Sequence, residues 1–250
     1  MAETHRQNLT RKQLEEGRIP NNYVLLEMMH SSEGIKSKGG IIVGVLLDED
    51  YDDETTTHAA DLTEVYGKVY KLPEKLTYAE NGMQWDCDMD LQVSDIVFFN
   101  VIESKNAVEI VCEDKLYKLI PYQDCYCAKR LGKIWRGYGG ATGEDVVVML
   151  NGYVLCKPTY VQTDSPLAVE DKKEDKTRGI IRFVGKPNRS YLNPNYVDFV
   201  DLHIGDLVLF NPNTPLFPLE RKSALAQFDG NNLYNVVQRR RIAMVLSKNN

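Results

Sequence analysis

The side chains with the widest chemical range in this chain are its five cysteines (Cys87, Cys112, Cys125, Cys127, Cys156) and four histidines (His5, His30, His58, His203). Thiolates and imidazoles bind transition metals, and either can serve as nucleophile or base. Their spacing favours neither use. The histidines stand at no ligand-like separation, and the thiols are odd in number and scattered, as expected for reduced cysteines in a reducing compartment. Cys125-Tyr-Cys127 would place two thiols on one side of a strand. A metal there would need further ligands nearby, so the plainer reading is a pair of strand thiols. Gly137-Tyr-Gly-Gly-Ala-Thr-Gly143 superficially resembles a nucleotide-binding turn, which should follow a strand and open a helix. Here the strand-like Val146-Val-Val-Met-Leu150 follows instead. Arg239-Arg-Arg241 is the one compact basic cluster and reads as the edge of a final strand rather than a phosphate site. No spacing suggests a Ser-His-Asp or Cys-His arrangement. The chain is therefore expected to be no enzyme and to carry no metal or cofactor.

The chemistry that remains is non-covalent. Lys38-Gly39-Gly40-Ile41-Ile42-Val43 sets three apolar residues behind two glycines, inside a polar stretch from His30 to Glu64 that lacks sustained periodicity. A connection this long is either functional or disordered. Glycine makes ordering costly, so the segment would be mobile until it met a groove, where its backbone could pair and its apolar side chains be buried. Burying one Ile or Val contributes roughly 1.5–3 kcal/mol, against roughly 1–2 kcal/mol to order each residue. One such loop binds weakly. Several on one assembly bind tightly and still release together. The competing reading makes Ile41-Ile-Val43 another packed strand of the domain.

The elements that would position this segment are legible from an internal repeat. Asp90-Leu-Gln-Val-Ser-Asp-Ile-Val-Phe-Phe-Asn100 returns as Asp201-Leu-His-Ile-Gly-Asp-Leu-Val-Leu-Phe-Asn211, which means one folding unit used twice. Short β-branched or aromatic runs recur in both halves: Tyr23–Glu27, Gly67–Leu72, Ile96–Phe99, Ala107–Val111 and Leu116–Ile120, then Gly179–Val184, Leu207–Phe210, Leu233–Val237 and Ile242–Leu246. Turn residues separate them, the pattern of an all-β barrel or sandwich. Ahead of them Asn8 to Gly17 reads as a short helix, with Thr10 and Gln13 forming a capping box and Gly17 the stop. Tyr23 aligns with Tyr153 and Gly67 with Gly179. The second copy has therefore lost residues between its first two strands, and what is left, Thr163 to Lys176, holds no Gly-Gly-Ile-Ile-Val. The expected organisation is a first unit over 1–130 with its long loop at 30–64, a glycine-rich linker over 131–144, and a second unit over 145–250 with a shortened loop.

Bulk properties agree with a globular protein. The 250 residues are 26% charged and 43% hydrophobic, and the net charge of -6 disfavours a general nucleic-acid partner. No apolar run approaches the ~20 residues of a membrane span, and Met1 to Arg18 has no signal-peptide core. A cytoplasmic protein is expected.

With these segments in order, the sequence resembles the GroES co-chaperonins. The matching residues are Pro20 to Glu27, Ser37 to Val43, Gly67 to Leu72, Val93 to Asn100 and Asp124 to Ala128. They return in the second half at Gly152 to Pro158, Gly179 to Gly185, Ile204 to Asn211 and Ile242 to Val245. The resemblance implies two tandem GroES-like β-barrels, a homo-oligomeric ring, and capping of a GroEL-type chaperonin over an unfolded client. Gly39, Gly40, Ile41, Ile42 and Val43 would dock on its apical domains, with ATP bound by the chaperonin. The departures are the tandem arrangement, the acidic insert after the triplet, and the enlarged excursion from Pro73 to Asp90, whose Trp85, Asp86, Asp88 and Asp90 read as a solvated turn, or else as a charged chamber lining or partner contact. Phage-encoded co-chaperonins are divergent and enlarged, which fits a viral source and a host cytoplasm. The rival reading is a GroES-like scaffold or virion component that binds no chaperonin.

Overall fold

The computed structural model describes residues 6–20, 22–28, 65–77, 85–99, 107–130, 146–161, 174–190, 202–220 and 233–247. The chain opens with β1 (Arg6–Asn8) and α1 (Arg11–Glu16). The first half continues through β2 (Tyr23–Met28), β3 (Val65–Lys71), β4 (Trp85–Asp86), β5 (Ile96–Phe99), β6 (Val108–Cys112), β7 (Lys115–Pro121) and β8 (Cys125–Arg130). The second half runs through β9 (Val146–Met149), β10 (Tyr153–Tyr160), β11 (Glu174–Val184), β12 (Arg189–Ser190), β13 (Leu207–Phe210), β14 (Phe217–Glu220), β15 (Leu233–Gln238) and β16 (Ile242–Ser247). Among the described residues the protein is all-β apart from the short helix and single 3₁₀ turns. No helix among the described residues is long and apolar enough to cross a membrane.

The helix forms as its sequence dictates. Thr10 is the N-cap, its hydroxyl accepts from the Gln13 backbone N–H, and the Gln13 side chain accepts from the Thr10 N–H. Gly17 closes the helix, donating to the Gln13 carbonyl at 2.9 Å. Asn8, expected at the start of the helix, belongs to β1, which pairs in parallel with β6.

Two sheets carry the duplication. The eight-stranded sheet has the order β1-β6-β7-β2-β3-β5-β8-β9, and the six-stranded sheet β14-β15-β10-β11-β13-β16. The series β7-β2-β3-β5-β8 and β15-β10-β11-β13-β16 are one arrangement used twice, and the register agrees residue by residue. Met28 faces Gly67 as Pro158 faces Gly179, and Gly67 faces Val97 as Gly179 faces Val208. A register shift lies between Leu25 and Leu26 in one copy and between Leu155 and Cys156 in the other. Another falls between Phe98 and Phe99, and between Leu209 and Phe210. Such bulges bend strands and sharpen their twist, so the two halves share curvature as well as order.

The repeated phrase has a local cause. The Asp95 carboxylate accepts from the Gln92 N–H at 2.8 Å, and Asp206 from the His203 N–H at 2.9 Å. Each acid closes a turn whose preceding residue has positive φ, Ser94 at 78° and Gly205 at 94°. A strand follows directly, fully buried in β5 and alternately half-buried and buried in β13. Asp95 also receives both arms of Arg130, at 2.9 and 2.8 Å, whereas Asp206 has the His203 imidazole at 3.8 Å.

Each copy has a core of equivalent positions. Val24, Leu26, Val97, Phe99 and Ile120 pack in the first; Val154, Cys156, Val208, Phe210 and Val237 pack in the second. A third cluster joins the copies. Tyr66, Ile96, Phe98, Tyr126 and Cys127 of the first half pack on Met149, Tyr153, Leu155, Tyr234 and Val236. The Tyr126 and Tyr153 rings meet edge to face at 5.0 Å. Strand β9, although it follows the glycine-rich stretch, pairs with β8 from Cys127↔Met149 to Arg130↔Val146. The copies are thus joined by a hydrogen-bonded ladder as well as by the chain.

Candidate functional site

Gly39, Gly40, Ile41, Ile42 and Val43 lie outside the described residues, and so does the connection 29–64 that carries them. Its two anchors are well described. β2 ends at Met28 and β3 begins at Val65, on neighbouring antiparallel strands with Met28 opposite Gly67. The two anchors of the connection therefore lie side by side. Gly67 is what lets the strands meet there, because a Cβ on it would stand 2.9 Å from the Leu26 Cβ. Glu27 at this base accepts from Lys115 Nζ at 2.6 Å. The second copy departs at this point. β10 and β11 run on past Pro158↔Gly179, across a further register shift, to Thr159↔Asp175 and Tyr160↔Glu174. The connection there spans only 161–173.

The sequence reading missed a second site, a cavity of about 260 Å³ at the junction of the copies, lined in part by Cys87, Asp88, Asp90, Met149, Asn151 and Lys186. Lys186 Nζ lies 2.8 Å from Asp90 Oδ1 and 3.3 Å from Asp88 Oδ2, and Arg189 Nη2 lies 3.3 Å from Asp88 Oδ1. Asn151, with φ of 51°, ties the floor together. Its Nδ2 donates to the carbonyls of Tyr122 at 2.5 Å and Cys125 at 2.9 Å. Its Oδ1 accepts from the Cys87 thiol at 3.1 Å, and its carbonyl accepts from Asn188 at 2.8 Å. Asp88 and Asp90 thus meet cations of the second half. Their sequence signal was Lys186 and Arg189 just beyond β11, which local reading treats as unrelated surface charge.

Charge here is matched inside the molecule, so the arrangement suits a clasp between the copies. The Lys186 ammonium, and after it Arg189, hold the Asp88 carboxylate below the usual range against a smaller opposing desolvation. A depressed folded-state value stabilises the fold above the unfolded value of 3.8, and the contribution is lost as pH falls through the folded one. Thermal stability of the wild type is therefore expected to fall more steeply below pH 4 than that of Asp88→Asn, in low salt. Parallel melting-temperature curves between pH 5 and pH 3 would contradict the clasp.

The cysteines are arranged for packing. All five are free and buried. Burial pushes the Cys125 thiol well up and the Cys156 thiol to about 12, which keeps both protonated near neutrality. Cys125 and Cys127 do not share one environment as strand alternation predicts. The register shift opposite Phe98 and Phe99 intervenes, placing Cys125 in the first core and Cys127 in the junction cluster. Arg239-Arg-Arg241 forms a 3₁₀ turn before β16, with Arg239 buried and donating to the Gly185 carbonyl. Among the described residues no three His, Cys, Asp or Glu side chains cluster closely enough to hold a metal ion. No protein-family model matches the chain, and no curated protein matches it.

Proposed function

We propose that this chain is a co-chaperonin: a ring of copies caps a GroEL-type chaperonin, docking Gly39-Gly40-Ile41-Ile42-Val43 on its apical domains and enclosing an unfolded client. ATP binding and hydrolysis belong to the chaperonin. In this reading the halves are tandem GroES-like barrels, the first docking and the second structural. One observation carries the proposal. Two copies share strand order, register and bulges, yet only the first, between adjacent strands at Met28 and Val65, spans a long connection with a glycine-hinged apolar triplet. A duplicated scaffold has no need of that difference. Apolar residues set in a polar connection suit a docking role, and a partner offering repeated apolar grooves would use them additively.

The test is capture of the full chain on an immobilised GroEL-type chaperonin with and without adenine nucleotide, followed by native mass spectrometry of the eluate. Nucleotide-dependent capture of an oligomer is expected. Absence of capture under both conditions would overturn the reading in favour of a scaffold.

A further inference from the structure

The tight turn between β9 and β10 is where the chain leaves the first sheet for the second. Its central residues are Asn151 and Gly152, with φ of 51° and 68°, and the Tyr153 N–H donates to the Leu150 carbonyl at 2.9 Å. Positive φ at both positions marks a primed turn, which favours this dipeptide. The same dipeptide is the one most open to spontaneous loss of the asparagine amide. The backbone nitrogen of the following residue attacks the side-chain Cγ and bonds to it. The bond from Cγ to Nδ2 breaks, and Nδ2 leaves as ammonia with the proton of the attacking nitrogen. Water then opens the succinimide to aspartate or isoaspartate. Glycine favours the attack because it has no side chain to shield that nitrogen.

In the folded chain each group that would have to move is held. The Asn151 Nδ2 donates to the carbonyls of Tyr122 and Cys125, and its Oδ1 accepts from the Cys87 thiol. None of these partners belongs to the turn; all come from the first half. The Asn151 carbonyl shares a peptide plane with the Gly152 nitrogen, and it accepts from Asn188, which is buried. The Gly152 carbonyl accepts from the Arg239 N–H at 2.8 Å. Attack requires the side chain to swing back toward its own peptide and that peptide to turn, so bonds to both halves must break first. The product cannot remake them. An ionised aspartate has no hydrogen to give, and its oxygens would face the carbonyls of two fully buried residues, Tyr122 and Cys125. Isoaspartate also adds a backbone atom to the turn. Buried acceptors left without a donor oppose reclosure.

We infer that Asn151 is a deamidation site guarded by the junction of the two halves. While the halves are closed the amide is kept. Each opening exposes it to a conversion that runs one way and leaves the junction weaker. Asp88, Asp90, Lys186 and Arg189 line the same cavity as Asn151, so their clasp sets how often that exposure occurs. The inference is independent of the co-chaperonin reading.

Incubation of the full chain in mildly alkaline buffer, with aspartate and isoaspartate at position 151 read by mass spectrometry of tryptic peptides, tests it. Asn81-Gly82, the other such dipeptide of the sequence, falls in a different peptide and is read separately. Conversion at Asn151 is expected to be at least about 100-fold slower in native buffer than in urea that unfolds the chain, because it follows the open population. Lys186→Glu sets another acid beside Asp88 and Asp90 and should speed native conversion by about threefold or more. Cys87→Ala, which removes the bond to Oδ1, takes its place should Lys186→Glu lose its far-ultraviolet β signal, and the same rise is expected. Asn151→Asp supplies one product directly and should lower the melting temperature by about 4 °C or more. A native rate within about threefold of the unfolded one would overturn the inference. So would a folded clasp variant that converts no faster than the wild type, or an Asn151→Asp chain that melts with the wild type.

Discussion

Changing both Ile41 and Ile42 to aspartate is expected to reduce chaperonin capture by at least about 100-fold. Each isoleucine contributes roughly 1.5–3 kcal/mol when buried in a groove, and tenfold in affinity is about 1.4 kcal/mol. Losing both at a single docking site, about 3–6 kcal/mol, already exceeds that figure, before any cost of burying a carboxylate. Capture through several linked sites multiplies the loss. The control lies in the second copy. Leu167→Asp with Val169→Asp places the same charges in connection 161–173 and should leave capture within about twofold, a difference below 0.5 kcal/mol. Surface plasmon resonance on immobilised chaperonin with adenine nucleotide measures both. Equal losses from the two pairs would remove the asymmetry on which the functional reading stands, and no loss from either would remove the docking role.

Phe98→Ala should destabilise the protein by about 3–5 kcal/mol, the range for a large aromatic lost from a well-packed core. Phe98 is fully buried in β5, its ring 5.6 Å from Tyr66, inside the cluster shared by both copies. The cavity would therefore open on the junction. Leu209→Ala alters the equivalent position of the second copy, where the side chain is half-buried, and should cost only about 1 kcal/mol. Urea unfolding followed by tryptophan fluorescence and circular dichroism reports both. The two probes should agree on one transition, because the junction cluster belongs to neither half alone. Similar losses for Phe98 and Leu209 would contradict the view that only one of these equivalent faces is covered.

The repeat made much of the fold legible. The phrase around Asp95 and Asp206 gave a turn and a strand twice, because a carboxylate closing a tight turn ahead of β-branched residues is a local instruction. The capping box gave α1 for the same reason. Strands β1, β4, β12 and β14 escaped notice because two to four residues carry no usable periodicity. The partner of β9 was hidden as well. Val146-Val-Val-Met149 reads plainly as a strand, but alternation does not say which sheet receives it. The split of Cys125 from Cys127 came from a bulge, which local alternation cannot register. The candidate site divides likewise. The proposed docking segment stands out in the sequence as a departure from the repeat, whereas the Asp88, Asp90, Lys186 and Arg189 clasp exists only once residues far apart in sequence are folded together.

The ladder between β8 and β9 changes what the intervening peptide is for. Since four residue pairs and a shared aromatic core already hold the halves together, the halves are expected to stay associated when the covalent path through 131–145 is cut. A protease nick anywhere in that stretch should leave a species that still migrates as one particle in native gels. Two fragments divided there and produced together should find each other, with β9 entering the sheet of its partner as a donated strand.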